Sequence, residues 1–247
     1  MAAVTLSVAQ LTKRFGTRLA VDQLSFSVNA GEIFGVIGPN GAGKSTLMHM
    51  IAHLIVPDAG DITIFGLAMA RHRRQIAPRI NLASPYAALP GRLTVRENLS
   101  VYAGLYGLRN PAARIAALLE QTGLAALRDI LVSRLSSGQA ARAGLCKALL
   151  NDPELLLLDE PTAYLDPDIA IRIRALLAQH RAARGMTILL TSHDLPEIET
   201  MCNRIMFLRH GRLLALGTQA EVTRAVLHHQ PAGGTLQDAF LHAAGGA

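Results

Sequence analysis

Tryptophan is absent from this 247-residue chain, and cysteine occurs only twice, at Cys146 and Cys202. Neither thiol has a partner at C-x-x-C spacing, which argues against a disulfide framework or a zinc site, so both are expected to be buried or inert. No run reaches the roughly 18 consecutive apolar residues that a bilayer-spanning helix requires. Met1 to Leu11 also lacks the charged start and apolar centre of a signal peptide, so the chain is expected to stay in the cytoplasm. Internal repeats are missing, which argues against a solenoid, and the only compositional bias is a mild Gly and Ala enrichment from Pro231 to Ala247. Charged residues make up only 17% of the chain against 50% hydrophobic ones, a balance that excludes disorder and gives ample material for a buried core.

The net charge of +6 is compatible with nucleic acid, with anionic lipid or with no charged partner. Arg71, His72, Arg73 and Arg74 form the densest basic run, and no aromatic residues interleave with it as a nucleic-acid surface would favour. A solvated face is the expectation there, and nucleic acid is not expected as a partner.

Short apolar runs alternate with helical patterns, the mark of an α/β fold around a largely parallel sheet. Ile33 to Ile37, Asp61 to Phe65, Leu155 to Leu158 and Thr187 to Thr191 read as strands, and Ile80 to Ala83 reads as another. From about Thr94 to Leu150 no strand pattern occurs, and Ala, Leu and Arg dominate, as in an inserted helical lobe opened by a capping box at Thr94 and Glu97. Asp166 followed by Pro167 starts a further helix, with Ile169, Ile173, Leu176 and Leu177 on one stripe. Arg204 to Gly217 reads as two strands around a turn at His210 and Gly211.

Gly38, Pro39, Asn40, Gly41, Ala42, Gly43, Lys44 and Ser45 fit G-x-x-x-x-G-K-[ST] between an apolar strand and a helical pattern near Thr46. Glycines let such a loop turn successive N–H groups inward while the next helix aims its positive end at the same point, a cradle suited to a triphosphate. Lys44 then reaches the β- and γ-phosphates, and the Ser45 hydroxyl meets Mg²⁺. The wholly apolar run Leu155 to Leu158 ends in Asp159 and Glu160, so it reads as a strand buried on both faces that opens at its carboxyl end onto a ligand crevice. There Asp159 is expected to hold the metal and Glu160 to orient and polarise the attacking water. Two adjacent acids are by themselves an ordinary strand ending; beside the phosphate loop they point to ATP and Mg²⁺.

Leu135, Ser136, Ser137, Gly138 and Gln139 precede another helical pattern and make a second anion site, expected to expose N–H groups and two hydroxyls. At this point the sequence resembles the ATP-binding cassette (ABC) proteins, whose signature is usually LSGGQ and here reads LSSGQ. The resemblance runs over nearly the whole chain. It implies an α/β P-loop NTPase fold with a RecA-like, mostly parallel core, an N-terminal antiparallel β region and an inserted α-helical subdomain. The chain then divides as a single ATPase domain with its core at 1–86 and 151–225, a signature subdomain at 87–150 and a C-terminal tail at 226–247. His193 matches the switch histidine that contacts the γ-phosphate, and with Glu160 and Lys44 completes the implied catalytic set. Phe15 matches the aromatic stacked on adenine, although a plain packing role is open to it. Asp166 matches the loop that meets an opposing subunit and is also placed as a helix cap. Gly38, Asn40, Gly41, Ala42, Gly43, Lys44, Ser45 and Thr46 would hold one ATP, over which Ser136, Ser137, Gly138 and Gln139 of a second copy would close.

Such a chain is expected to work as a homodimer beneath an integral membrane permease, on the cytoplasmic face of the membrane. The segments Leu93 to Leu108 and Thr235 to Leu241 look like those of exporter-type cassettes. Two departures stand out. Where the family usually has a glutamine, this chain has Ser84 and Pro85, a hydroxyl followed by a residue with no N–H; altered coupling is expected before loss of hydrolysis. Ser137 in place of the signature glycine is the second, and a mild one. His228 and His229 match no motif. A soluble ABC ATPase and a nucleotide-responsive regulatory module remain as alternatives to the transport engine.

Overall fold

A computed structural model describes residues 3–84, 88–227 and 234–245. Pro85, His228 and His229 lie outside the described residues, as does the 231–233 part of the expected tail. Contacts divide the chain into two compact units, Met1–Ile76 with Thr187–Ala247, and Ala77–Met186.

The first unit begins with a long hairpin, β1 (Val4–Phe15) and β2 (Arg18–Asn29), in antiparallel register that pairs Phe15 with Arg18. Next come β3 (Ile33–Ile37), helix α1 (Lys44–Ile51), β4 (Ala59–Ile64), the two-residue β5 (Leu67–Ala68) and α2 (Met69–Ile76). The antiparallel sheet runs β2-β1-β4-β5. Its inner face is apolar, with Leu6, Leu11, Leu24 and Ile64 fully buried. The basic run falls on α2, which kinks at His72; Arg71, Arg73 and Arg74 are exposed, in keeping with a solvated face.

The second unit opens with β6 (Ile80–Ala83), followed by α3 (Val95–Leu105), α4 (Ala112–Gln121), α5 (Ser137–Leu149), β7 (Leu155–Asp159) and α6 (Pro167–Arg184). Thr94 and Glu97 form the capping box expected of them, at 3.2 Å and 2.8 Å. β6 and β7 pair in parallel, Ala83 beside Leu158. Leu155 to Leu158 are fully buried, which explains the unbroken apolar run, and each such side chain contributes roughly 2 kcal/mol of burial free energy.

In the last segment β8 (Thr187–Thr191), α7 (Leu195–Met201), β9 (Arg204–Arg209) and β10 (Arg212–Gly217) rejoin the first unit, with α8 (Gln219–Val226) and α9 (Leu236–Gly245) after them. Strand β3 lies between β8 and β9, parallel to both, and β10 is antiparallel to β9. His210 and Gly211 both take positive φ, 49° and 77°, as a two-residue hairpin turn demands. The segment expected as a tail carries α9, which buries Leu236, Ala239 and Ala243 and sets Phe240 5.8 Å from Phe207. Apolar residues at helical spacing, three and four apart, hold it down despite the glycines on either side.

Candidate nucleotide site

In the first unit the phosphate loop follows β3, and the segment with His193 follows β8. Val36 and Thr191 are register partners on these adjacent parallel strands, so the loop and His193 leave the sheet at the same, carboxyl, end. Gly38 has φ 151°, and a Cβ there would stand 2.1 Å from the Leu208 carbonyl oxygen. Gly43, at φ 108°, is as constrained: a Cβ would come 2.3 Å from the Ala20 carbonyl. Side chains are excluded at both positions by neighbouring backbone, which is why this stretch of sequence is glycine-rich.

The loop's peptide planes are fixed from outside. The Gly211 N–H donates to the Ala42 carbonyl at 2.9 Å, and because C=O and N–H point opposite ways across a trans peptide, the Gly43 N–H faces the other side. Lys44 is buried, its ammonium donating to the carbonyls of Gly38 at 2.6 Å and Pro39 at 3.3 Å. A cation held against the loop's own carbonyls is poised for an anion arriving on the N–H side. Ser45 and Thr46 are half-buried in the first turn of α1, Ala42 is buried, and Asn40 and Gly41 are exposed at the loop's rim. Phe15 ends β1 with nearly half its surface open, and the Lys13 ammonium lies 5.5 Å from its ring centroid. The ring stands exposed at the end of the hairpin and is not packed into the core. His193 is exposed too, after the buried Thr191 and Ser192.

In the second unit Asp159 is buried at the end of β7, and Glu160 follows with φ 54°, a left-handed conformation that is strained for a glutamate. Ser84 leaves the parallel neighbour β6 at the same end and donates from its hydroxyl to Asp159 Oδ2 at 3.3 Å. A cavity of about 400 Å³ opens beside these three residues, walled on another side by Ser137, Ala140 and Gly144 of α5. Its walls are largely apolar, which shields the carboxylates from bulk water on that side.

The signature opens α5 through a capping box of its own. Ser136 and Gln139 form a capping box: the Ser136 hydroxyl accepts from the Gln139 N–H at 3.2 Å, and Gln139 Oε1 accepts from the Ser136 N–H at 3.0 Å. Helix α5 therefore starts at Ser137, earlier than the apolar pattern suggests; the Ser136 hydroxyl accepts within the box and keeps its own O–H to donate, and Ser136 and Ser137 are both exposed. The S-x-x-Q spacing carried this signal in the sequence. Gly138 sits under the Tyr164 carbonyl, 2.6 Å from where a Cβ would be, so the signature packs against the loop that holds Asp166. Asp166 occupies the N-cap position of α6, but its side chain makes no capping hydrogen bond, a correction to the dual role read from sequence. Asp166 is exposed.

Ser45 in the first unit offers a hydroxyl, and in the second unit Ser84 offers a hydroxyl and Asp159 a carboxylate, each a hard oxygen of the kind that Mg²⁺ takes. Among the described residues no three His, Cys, Asp or Glu side chains gather as a group that could hold a metal ion. Also among the described residues, no helix is long and apolar enough to cross a membrane.

Comparison with known proteins identifies the family. The family model described as ABC transporter matches residues 21–163. The Nod factor export ATP-binding protein I of Rhizobium sp. (strain N33) is 42% identical over 224 residues, which cover 88% of this chain and 72% of that one. A solved ATP-binding subunit of an ABC transporter superposes with TM-score 0.86 at 27% identity, over 97% of this chain and 99% of the other. The cbiO1 subunit of Clostridium perfringens, part of the ABC transporter complex cbiONQ, gives 0.74 at 26% identity, over 93% and 96%. Both the family model and the 42% identical relative span more than half of the sequence, and the chain belongs to the ABC transporter family as an ATP-binding subunit with ATPase activity.

Proposed function

We propose that this chain powers export through a separate integral membrane permease, to which it binds on the cytoplasmic face of the membrane, working as a homodimer. The observation that carries the reading is the pair of built anion sites on one chain: the braced phosphate loop ending in Lys44 and the capped signature helix beginning at Ser137. A chain with both has a use for a second copy, since the signature of one can close over the nucleotide of the other. Export is supported by the name of the Nod factor relative, and a permease partner by the complex to which cbiO1 belongs.

In this reading 1–247 is one ATPase domain. Phe15 stacks on adenine, and Gly38 through Thr46 hold the phosphates, with Lys44 as the mobile charge. Ser45 and Asp159 hold Mg²⁺, which when bound neutralises phosphate charge. Glu160 orients the attacking water and His193 contacts the γ-phosphate. Ser136, Ser137, Gly138 and Gln139, with Asp166, meet the opposing copy. Ser84 stands on Asp159 where relatives have a glutamine, and its hydroxyl supplies an oxygen there without the longer amide's reach.

The test is ATPase activity of the wild type and of Glu160→Gln, together with gel filtration in ATP. Glu160→Gln is expected to lose at least about a hundredfold in rate and to run as a dimer in ATP. Equal activity of the two proteins, or a variant that stays monomeric at saturating ATP, would sink the proposal. Purification from detergent-solubilised membranes is expected to bring a multi-span protein with it; ribosomes or DNA in its place would move the chain to another class.

A further inference from the structure

The hairpin that carries Phe15 is tied to the phosphate loop by one side chain that no motif marks. Arg18 opens β2, and its Nη2 donates to the Gly41 carbonyl at 3.0 Å. Phe15 and Arg18 are register partners across a turn of two residues, Gly16 at φ 56° and Thr17. In so short a hairpin the two Cα atoms are fixed relative to one another, so whatever holds Arg18 also places the Phe15 ring. Arg14 reinforces the tip by donating to the Thr17 carbonyl at 3.5 Å.

The start of β2 also lies along the loop further in. Ala20 contributes the carbonyl that confronts Gly43, and the Asp22 N–H donates to Gly211, whose own N–H holds Ala42. The hydrogen bonds from Asp22 to Gly211 and from Gly211 to Ala42 are backbone to backbone, and the approach of Ala20 needs only the glycine at 43. The outer contact, at the exposed rim, depends on the Arg18 guanidinium. The peptide it grips is held on both sides: the Gly41 C=O by Arg18 and the Ala42 N–H by the Pro39 carbonyl at 3.1 Å.

From this geometry we infer that Arg18 is a positioning residue for nucleotide binding: it sets the span between the base platform at Phe15 and the phosphate cradle at Gly38 to Ser45, and so selects a ligand with a base at one end and a polyphosphate at the other. The inference rests on the stacking role of Phe15 given above. Arg18 acts through Phe15 and Gly41, with its donor already engaged by the loop.

Two ligands separate this role from direct phosphate contact. Inorganic tripolyphosphate, with Mg²⁺, probes the cradle alone, and MgATP probes cradle and platform together. By titration calorimetry, Arg18→Ala is expected to weaken MgATP about three- to tenfold, the worth of one such hydrogen bond, and to leave tripolyphosphate unchanged. Arg18→Lys, which keeps a donor, restores part of the loss. In a Phe15→Ala background, Arg18→Ala is expected to have no further effect on MgATP, because the platform it positions is gone. Equal loss of both ligands in Arg18→Ala would overturn the inference in favour of a phosphate contact, and unchanged MgATP affinity, or full additivity with Phe15→Ala, would overturn it outright. If the wild type binds tripolyphosphate as tightly as MgATP, the stacking role of Phe15 fails, a different result from failure of Arg18 alone.

Discussion

Alanine at Gly138 and alanine at Gly144 are the same substitution on the same helix, and the structure separates their outcomes. Both positions lie within α5: Gly144 is in its interior, where glycine costs about 1 kcal/mol relative to alanine, and Gly138 is the second residue of its first turn, where that interior gain does not apply in full. At Gly144 nothing lies within 4 Å of the new methyl group. At Gly138 the methyl would come 2.6 Å from the Tyr164 carbonyl oxygen, about 0.8 Å inside ordinary contact, and the obstacle is backbone that cannot rotate aside. Overpacking of this kind costs about 1–3 kcal/mol. Propensity favours alanine at least as much at Gly144, so Gly138→Ala should be at least about 1–3 kcal/mol less stable than Gly144→Ala, a difference of several degrees in Tm for a chain of this size. Urea unfolding followed by circular dichroism measures the gap. Because the displaced carbonyl belongs to the loop carrying Asp166, Gly138→Ala should also weaken ATP-driven dimerisation of a Glu160→Gln background, whereas Gly144→Ala should not. Equal stabilisation of the two variants would refute the close approach of signature and loop.

Other perturbations follow from burial. His180 is buried on α6 and its pKa is lowered, chiefly by desolvation and then by the nearby Arg114 charge. The unfolded chain then binds a proton on His180 more readily than the folded one, so this contribution is present above the ordinary histidine value of 6.5 and is lost as pH falls below it. Urea midpoints measured from pH 7.5 to 5 should fall for the wild type and fall less steeply for His180→Gln; parallel slopes would refute the assignment. Burial pushes the Cys146 and Cys202 thiols up to about 12, so neither is a thiolate at pH 8, and alkylation by iodoacetamide should proceed only in denaturant. Rapid labelling of the native protein would contradict that burial. Tyr106→Phe removes a hydroxyl that donates to Asn81 at 3.0 Å on the strand leading to Ser84, and should cost about 1 kcal/mol by the same urea assay.

Elements with one dominant local signal were legible in the sequence. Leu155 to Leu158 announced a strand buried on both faces, Thr94 and Glu97 a capped helix, and the phosphate loop its own strand and helix. The long β1 and β2 entered only through the family resemblance, because register shifts such as the one between Val8 and Leu11 break the alternation that would reveal a strand. The strand expected at Asp61 to Phe65 starts earlier, at Ala59, and ends at Ile64, before Phe65 takes φ 54°. Helix α9 was hidden by flanking glycines although its apolar spacing was present. Lys44 in the phosphate loop and Asp159 with Glu160 at the end of β7 can be singled out as candidates from sequence because short spacing ties each to its element. The Ser84 hydrogen bond to Asp159 and the Arg18 tie to Gly41 join residues far apart in the chain, and only register between strands brings them together. Ser136 and Gln139 have capping-box spacing, and the same residues spell the signature, so one short run carries both signals.

Titration calorimetry of MgATP against the wild type and Lys44→Ala, with circular dichroism to show that both are folded, tests the phosphate loop most directly. The expected result is saturable binding to the wild type and a loss of about tenfold or more in Lys44→Ala, since a charged hydrogen-bond donor is worth roughly 1.5–3 kcal/mol. Equal affinity of the two proteins would contradict the assignment of Gly38 to Ser45 as the nucleotide site.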